Sequence, residues 1–246
     1  MPFLNRSIAV LPRPVVRRAI HSLWKYQEPE LRKLDEYLDC SRLAVDVGAW
    51  WGPWTAALAR RCPEVHSFEP QPQLAAQLRT WVPSNVVVHE TAVGDRSGTA
   101  ELNRPDDRPG TDGLATLRPM SSTDSETVTV PLATIDSLDL GDVGFMKIDV
   151  EGLELAALTG AAVTIERSKP RLMIEIEQRH LDEPMETVFD WLHERAYRGL
   201  FLRSKSWHRI DTFDVERDQT AHIDRPKSAA YVNAFLFVPE GDTLSL

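Results

Sequence analysis

Apolar and polar positions along the chain follow two alternating rhythms. "RLAVDVG", 42–48, is a nearly unbroken apolar run that closes on an acid and a glycine, the pattern of a strand buried on both faces. "PWTAALARRC", 53–62, turns to helical spacing, with Pro53 near the first turn, where a missing N–H is tolerated. The alternation repeats, since "EVHSFEP" (64–70) and "NVVVHETAVG" (85–94) read as strands on either side of a helix in "QPQLAAQLRTWV" (71–82). Upstream, Leu31, Leu34 and Leu38 at helical spacing predict a helix that leads into the first strand. A βαβαβ order with such short connections implies a parallel sheet, the nucleotide-binding half of a doubly wound α/β fold.

From Asn103 to Thr127 the rhythm stops in a stretch rich in Pro, Gly, Asp and Ser, which reads as a lid or acceptor loop. Regularity resumes with "VTVPLATIDSL" (128–138), a strand in "VGFMKIDVEG" (143–152) and a helix in "LELAALTGA" (153–161). A strand in "RLMIEIE" (171–177), an amphipathic helix in "METVFDWLHERAY" (185–197) and a final strand in "AYVNAFLFVP" (230–239) complete the pattern. The expectation is an N-terminal helical segment over 1–40 and one α/β domain over 41–246. Its sheet should be seven-stranded and mostly parallel, with antiparallel strands late in the chain.

Composition narrows the partners more than the fold. The 246 residues are 42% hydrophobic and 26% charged, enough for one sizeable core. A formal net charge of −9 removes the usual drive toward phosphate backbones and anionic lipid, so nucleic acid is not an expected partner. Cys40 and Cys62 have neither a disulfide framework nor metal-ligand spacing, and both read as buried packing in a reducing, cytoplasmic protein. No apolar stretch is long enough to cross a bilayer, and Arg6, Pro12 and Pro14 interrupt any signal-like run. Arg13, Arg17, Arg18 and Lys25 make the N-terminal segment basic, a face that suits docking on a second copy as a homodimer.

The candidate chemistry gathers at strand ends. Asp46 precedes a turn with Gly48 and Gly52, a G-x-x-x-G spacing that lets backbone approach a ligand but lacks the G-x-G-x-x-G of dinucleotide binding. Glu69, at the tip of the second strand, suits a ribose diol and disfavours a phosphorylated ribose. With Trp50 and Thr55 in the same turn and helix, this set fits a phosphate-free nucleoside such as S-adenosylmethionine. Trp51 and Trp54 read as packing. Asp149 and Glu175 close two neighbouring strands and are expected to converge as oxygen ligands for magnesium, with Glu177 on the same side by the two-residue strand period. His180, on the loop that follows, is the candidate general base. The direction of Glu151 is not legible in sequence.

The ordered set "VDVGAWWGPWT", "VHSFEPQPQ", "NVVVHETAVGDRSGTAEL", "VPLATIDSL", "FMKIDVEGLELAALTGA" and "RLMIEIE" resembles the FkbM family of S-adenosylmethionine-dependent O-methyltransferases, from about Ala44 to Glu177. The most specific piece is "KIDVEG" at Lys147 to Gly152. The resemblance implies a Rossmann-like methyltransferase domain. It puts Gly48 and Gly52 on the methionine side, Glu69 on the ribose, Thr91 and Ala92 near the adenine, and Asp149 facing the methyl. It also implies hydroxyl acceptors on sugars, as glycolipid, oligosaccharide or polysaccharide precursors, with polyketide or other small-molecule hydroxyls as the alternative. Trp50 departs from the family pattern, where many members carry Asn. That departure is the one feature favouring a non-catalytic nucleoside-binding module, and the intact "KIDVEG" stands against it.

Overall fold

The computed structural model describes residues 28–105, 115–118, 125–226 and 228–244. Strand β1 (Leu43–Val47) is buried along its whole length, as its unbroken apolar run requires. It pairs in parallel with β2 (Val65–Phe68), which pairs in parallel with β3 (Val86–His89). On its other side β1 pairs in parallel with β7 (Val143–Ile148), and β7 in turn with β8 (Arg171–Glu175). The two-residue period divides these strands between two cores. Val45, Val47, Met146, Ile148, Leu172 and Ile174 meet the helices Glu154–Thr159, Ala162–Ser168 and Glu186–His193. Ala44, Phe145 and Met173 meet Trp54 and Leu58 of the helix Pro53–Ala59 and Tyr37 of the N-terminal turns. Helices on both faces make the fold doubly wound.

The main sheet differs from the expected seven strands. It has eight among the described residues, because β9 (Tyr197–Arg203) and β10 (Ser206–Arg209) form a hairpin that the sequence pattern did not separate from its surroundings. Strand β11 (Ala234–Pro239) runs antiparallel between β8 and β9, so the edge beyond β8 is antiparallel while the half around β1 is parallel. The predicted strand 85–94 is also two strands. β3 stays in the main sheet, while β4 (Ala92–Val93) pairs with β6 (Ser125–Ala133) in a second, three-stranded sheet completed by β5 (Gly98–Pro105). Apolar alternation reports which face a residue covers, not which strand it pairs with.

The stretch 103–127 therefore begins and ends inside the β5–β6 hairpin, and most of the predicted lid lies outside the described residues. The predicted helix around Leu31 to Leu38 is two single turns, Pro29–Arg32 and Leu34–Tyr37, broken at Lys33. Cys62 is buried, but Cys40 is exposed, contrary to its expected packing role. The basic residues Arg13, Arg17, Arg18 and Lys25, with the docking role read into them, lie outside the described residues. No helix among the described residues is long and apolar enough to cross a membrane.

Candidate functional site

Strand β1 is the switch point of the parallel half, since β2 and β7 flank it and the strand order departs from it in both directions. Open α/β sheets bind ligands in the crevice at the carboxyl ends of such strands. Here the ends of β1 and β7 are in contact, with the Asp149 N–H donating to the Val47 carbonyl at 3.0 Å. Gly48 makes this approach possible. Its φ is +82°, and a Cβ there would lie 1.9 Å from the Asp149 carbonyl oxygen. Gly52, at φ +76°, starts the next helix under Leu78 and Trp81, which a Cβ would strike.

Glu69 is fixed by the same turn. The Trp50 N–H donates to its Oε2 and the Gln71 N–H to its Oε1, both at 2.8 Å, and the residue is 3% exposed. Trp50 itself sits at φ +49°, a left-handed conformation that a bulky residue adopts only under constraint and that Asn tolerates far better. The family's usual Asn at this position thus matches the backbone, and here the bond to Glu69 helps to hold a tryptophan in that shape. Asp46 and Thr55 brace the turn from below. Thr55 Oγ1 donates to Asp46 Oδ2 at 2.5 Å and lies 2.9 Å from Ser67 Oγ, and burial pushes the Asp46 carboxyl up to about 6. Thr91 and Ala92 follow the end of β3, whose His89 carbonyl receives the Glu69 N–H at 3.0 Å. Trp54 packs as expected, stacked on Phe145 at 6.2 Å.

Asp149 and Glu175 do come together, but around an ammonium. Lys147 Nζ lies 3.4 Å from Asp149 Oδ2 and 3.9 Å from Glu175 Oε2, and Asn233 Nδ2 donates to Glu175 Oε1 at 2.6 Å. Burial works against the Lys147 charge. The carboxylates of Asp149, Glu175, Glu28 and Asp46 outweigh it and hold the amine above the ordinary lysine range. Burial raises Glu28 to about 7 against the pull of Lys147, and the Trp54 indole N–H donates to this glutamate. Among the described residues, no group of three or more His, Cys, Asp or Glu is arranged to hold a metal ion. The expected magnesium pair is therefore corrected: both acids are oriented by Lys147, and this donor set does not fit the metal.

Beside this hub lies a recess of about 160 Å³ lined by Asp149, Glu151, Glu154, Glu175, Glu177 and His180. Glu151, at φ +51°, turns its carboxylate toward His180, whose Nδ1 is 3.2 Å from Glu151 Oε2. His180 Nε2 is buried without a hydrogen-bond partner among the described residues. Burial lowers the His180 pKa and raises that of Glu151 to about 9, with Asp149 and Glu177 adding to the latter. Thr116 Oγ1 donates to the Glu151 carbonyl at 2.9 Å and Arg118 Nη1 donates to the His180 carbonyl, so the described part of the lid segment, 115–118, is seated on this turn. His208 packs against Phe201 instead, and the Trp207 indole donates to Glu36 at 3.1 Å.

Sequence reading missed Lys147 as the hub, along with Glu28, Glu154 and Asn233. A strand lysine among apolar neighbours was a usable signal, because an ammonium in a buried strand needs carboxylates around it.

A doubly wound sheet with a glycine turn and a strand-tip carboxylate at its switch point defines a Rossmann-like protein with a nucleoside-type cleft. The family model described as the methyltransferase FkbM domain matches residues 46–198, more than half of the chain, and the chain belongs to that family. Among solved structures it is similar to a methyltransferase FkbM from Methylobacillus flagellatus KT, with 19% identity and a TM-score of 0.50 over 80% of this chain. The match covers 43% of that protein, so this chain spans less than half of its length. An rRNA methylase from Streptococcus thermophilus aligns at 14% identity and TM-score 0.46, covering 85% of this chain and 92% of that one. A Streptococcus mutans protein in complex with S-adenosylhomocysteine aligns at 13% identity and TM-score 0.47, over 85% and 94% of the two chains. No curated protein matches the sequence.

Proposed function

We propose that this protein transfers a methyl group from S-adenosylmethionine to a hydroxyl of a sugar acceptor. The observation that carries the reading is the Glu69 carboxylate, fixed by two backbone N–H groups beside the Gly48 turn at the sheet's switch point. A buried, oriented acceptor of this kind suits a ribose diol, and its charge repels a phosphorylated one. The backbone around Gly48 and Gly52 and the side chain of Trp50 would hold the methionine part, Thr91 and Ala92 the adenine side, and Asp149 the end from which the methyl leaves. When bound, S-adenosylmethionine supplies an electrophilic methyl group on a sulfonium.

An alcohol is a poor nucleophile until its proton is drawn off. His180 has the placement for this task, because Glu151 holds Nδ1 and leaves the unpartnered Nε2 to accept a proton from the acceptor hydroxyl. The recess is lined by carboxyl groups, which favours a polyhydroxylated sugar over an apolar polyketide or phenol. Titration calorimetry with S-adenosylmethionine and S-adenosylhomocysteine tests the donor, with micromolar-range heat expected and its absence on folded protein refuting the reading. Transfer of labelled methyl to short oligosaccharides, set against phenols and macrolactones, tests the acceptor.

A further inference from the structure

The recess beside His180 holds more negative charge than its surroundings neutralise. Five carboxyl groups face it, those of Asp149, Glu151, Glu154, Glu175 and Glu177. Lys147 serves Asp149 and Glu175, while Arg179 Nε pairs with Glu177 at 2.6 Å and the Tyr231 hydroxyl donates to the same acid. The remaining cation nearby, Arg118, is engaged with Asp182 and the His180 carbonyl. Two fixed cations therefore face five acids.

Glu154 shows that this excess is directed at a ligand. The residue is 2% exposed and begins the helix Glu154–Thr159, and its Oε1 accepts the Gly152 N–H at 2.9 Å. Its Oε2 is buried with no hydrogen-bond partner among the described residues. Burying a carboxylate oxygen without a donor is costly, so the arrangement is complete only when a donor enters. A metal ion would need several of these oxygens to converge on one point, and they do not. An ammonium group has three separate N–H donors, each able to reach a different acid around the recess, and its charge meets the surplus.

We infer that the recess binds the ammonium group of the acceptor, so that the acceptor is a hydroxyl compound carrying a primary amine, such as an amino sugar. The inference rests on the methyl-transfer reading for what the recess serves, but the binding itself does not depend on turnover. With the amine held against Glu154 and Glu177, a hydroxyl of the same molecule lies within reach of His180.

The test is saturation-transfer NMR on the full chain, with and without excess S-adenosylhomocysteine, using glucosamine and N-acetylglucosamine as probes. The two share a ring and differ in whether the nitrogen is a cation or a neutral amide. Glucosamine is expected to bind about tenfold or more tightly, the scale of one charge-assisted hydrogen bond. Glu154→Gln should erase that preference, and Glu177→Gln, on a different element, should weaken it if the first variant does not fold. Equal binding of the two sugars, or binding of neither, overturns the inference even where S-adenosylhomocysteine binds. Loss of glucosamine when S-adenosylhomocysteine is added also overturns it, since the recess would then serve the donor's own amine. Displacement of glucosamine by magnesium chloride overturns it in favour of a metal site. If S-adenosylhomocysteine fails to bind while glucosamine is still preferred, the donor reading falls and the ammonium site stands.

Discussion

The ammonium of Lys147 lies 3.4 Å from the carboxylate of Asp149, the residue two positions further along the chain, just past the end of β7. A fully buried cation so placed orients the acids around it and cannot be removed alone. Lys147→Met should leave Asp149, Glu175 and Glu28 without their shared counter-charge and destabilise the protein by about 3–5 kcal/mol. Urea unfolding followed by circular dichroism measures this, and a loss below about 1 kcal/mol would mean that the carboxyls simply take up protons instead.

Glu69→Gln replaces one acceptor oxygen by an amide that faces a backbone N–H from Trp50 or Gln71. Affinity for S-adenosylhomocysteine should fall by about tenfold to a hundredfold, as the ribose loses an oriented carboxylate. Calorimetry decides the point. Unchanged affinity would remove Glu69 from the cofactor site.

His180→Ala should lower kcat by about 10²–10⁴-fold if Nε2 takes the acceptor's proton. The pH profile gives a second reading. Burial depresses the His180 pKa, Arg179 and Arg118 push in the same direction, and Glu177 and Asp149 push against them. A base works in its neutral form, so the rate should rise with pH and level off below the ordinary histidine value, and the alanine variant should lose that limb. If the limb persists in the variant, the proton goes elsewhere.

Glu154 links stability to pH with a definite sign. Burial raises its pKa in the folded state to about 7 from an ordinary 4.5, against the opposing pull of the Gly152 N–H. The folded state thus binds the proton more tightly than the unfolded state. This contribution to stability is full below pH 4.5, declines between 4.5 and 7, and is absent above that range. Glu154→Gln keeps the shape without the charge. Relative to wild type, it should gain stability above pH 7 by on the order of 3 kcal/mol and show little change near pH 4. Thermal melts across that range measure the difference, and a constant offset at all pH values would contradict the buried charge.

The parallel half of the fold was legible because each of its elements carries its signal locally. β1 announced itself by an apolar run and β2 by a short alternating one, while Pro53 and Pro72 marked the starts of the helices. The antiparallel edge and the second sheet were not legible in the same way. Ala92 and Val93 look like a continuation of β3, and only their pairing with Leu132 and Ala133 removes them from the main sheet. Nothing local to Tyr197–Arg203 says that it will pair with Ala234–Pro239.

The site divides along the same line. Gly48, Glu69, Asp149 and His180 could be named from the sequence because glycine turns, strand-tip acids and the "KIDVEG" run are local patterns. What Asp149 and Glu175 do could not, because two carboxylates on adjacent strands look alike whether a metal or a lysine lies between them. Lys147 became their partner only when the registers of β7 with β1 and of β7 with β8 placed it on the face shared with Asp46 and Glu175.

The sequence by itself determined the family, the order of the parallel strands and the residue types at the cleft, since these follow from periodicity and short motifs. The tertiary structure alone decided where the charges are balanced and where they are not. Electrostatic pairing depends on distance and burial between groups far apart along the chain, and the unpartnered oxygen of Glu154 exists only once the helix, the turn and the strand ends have closed around it.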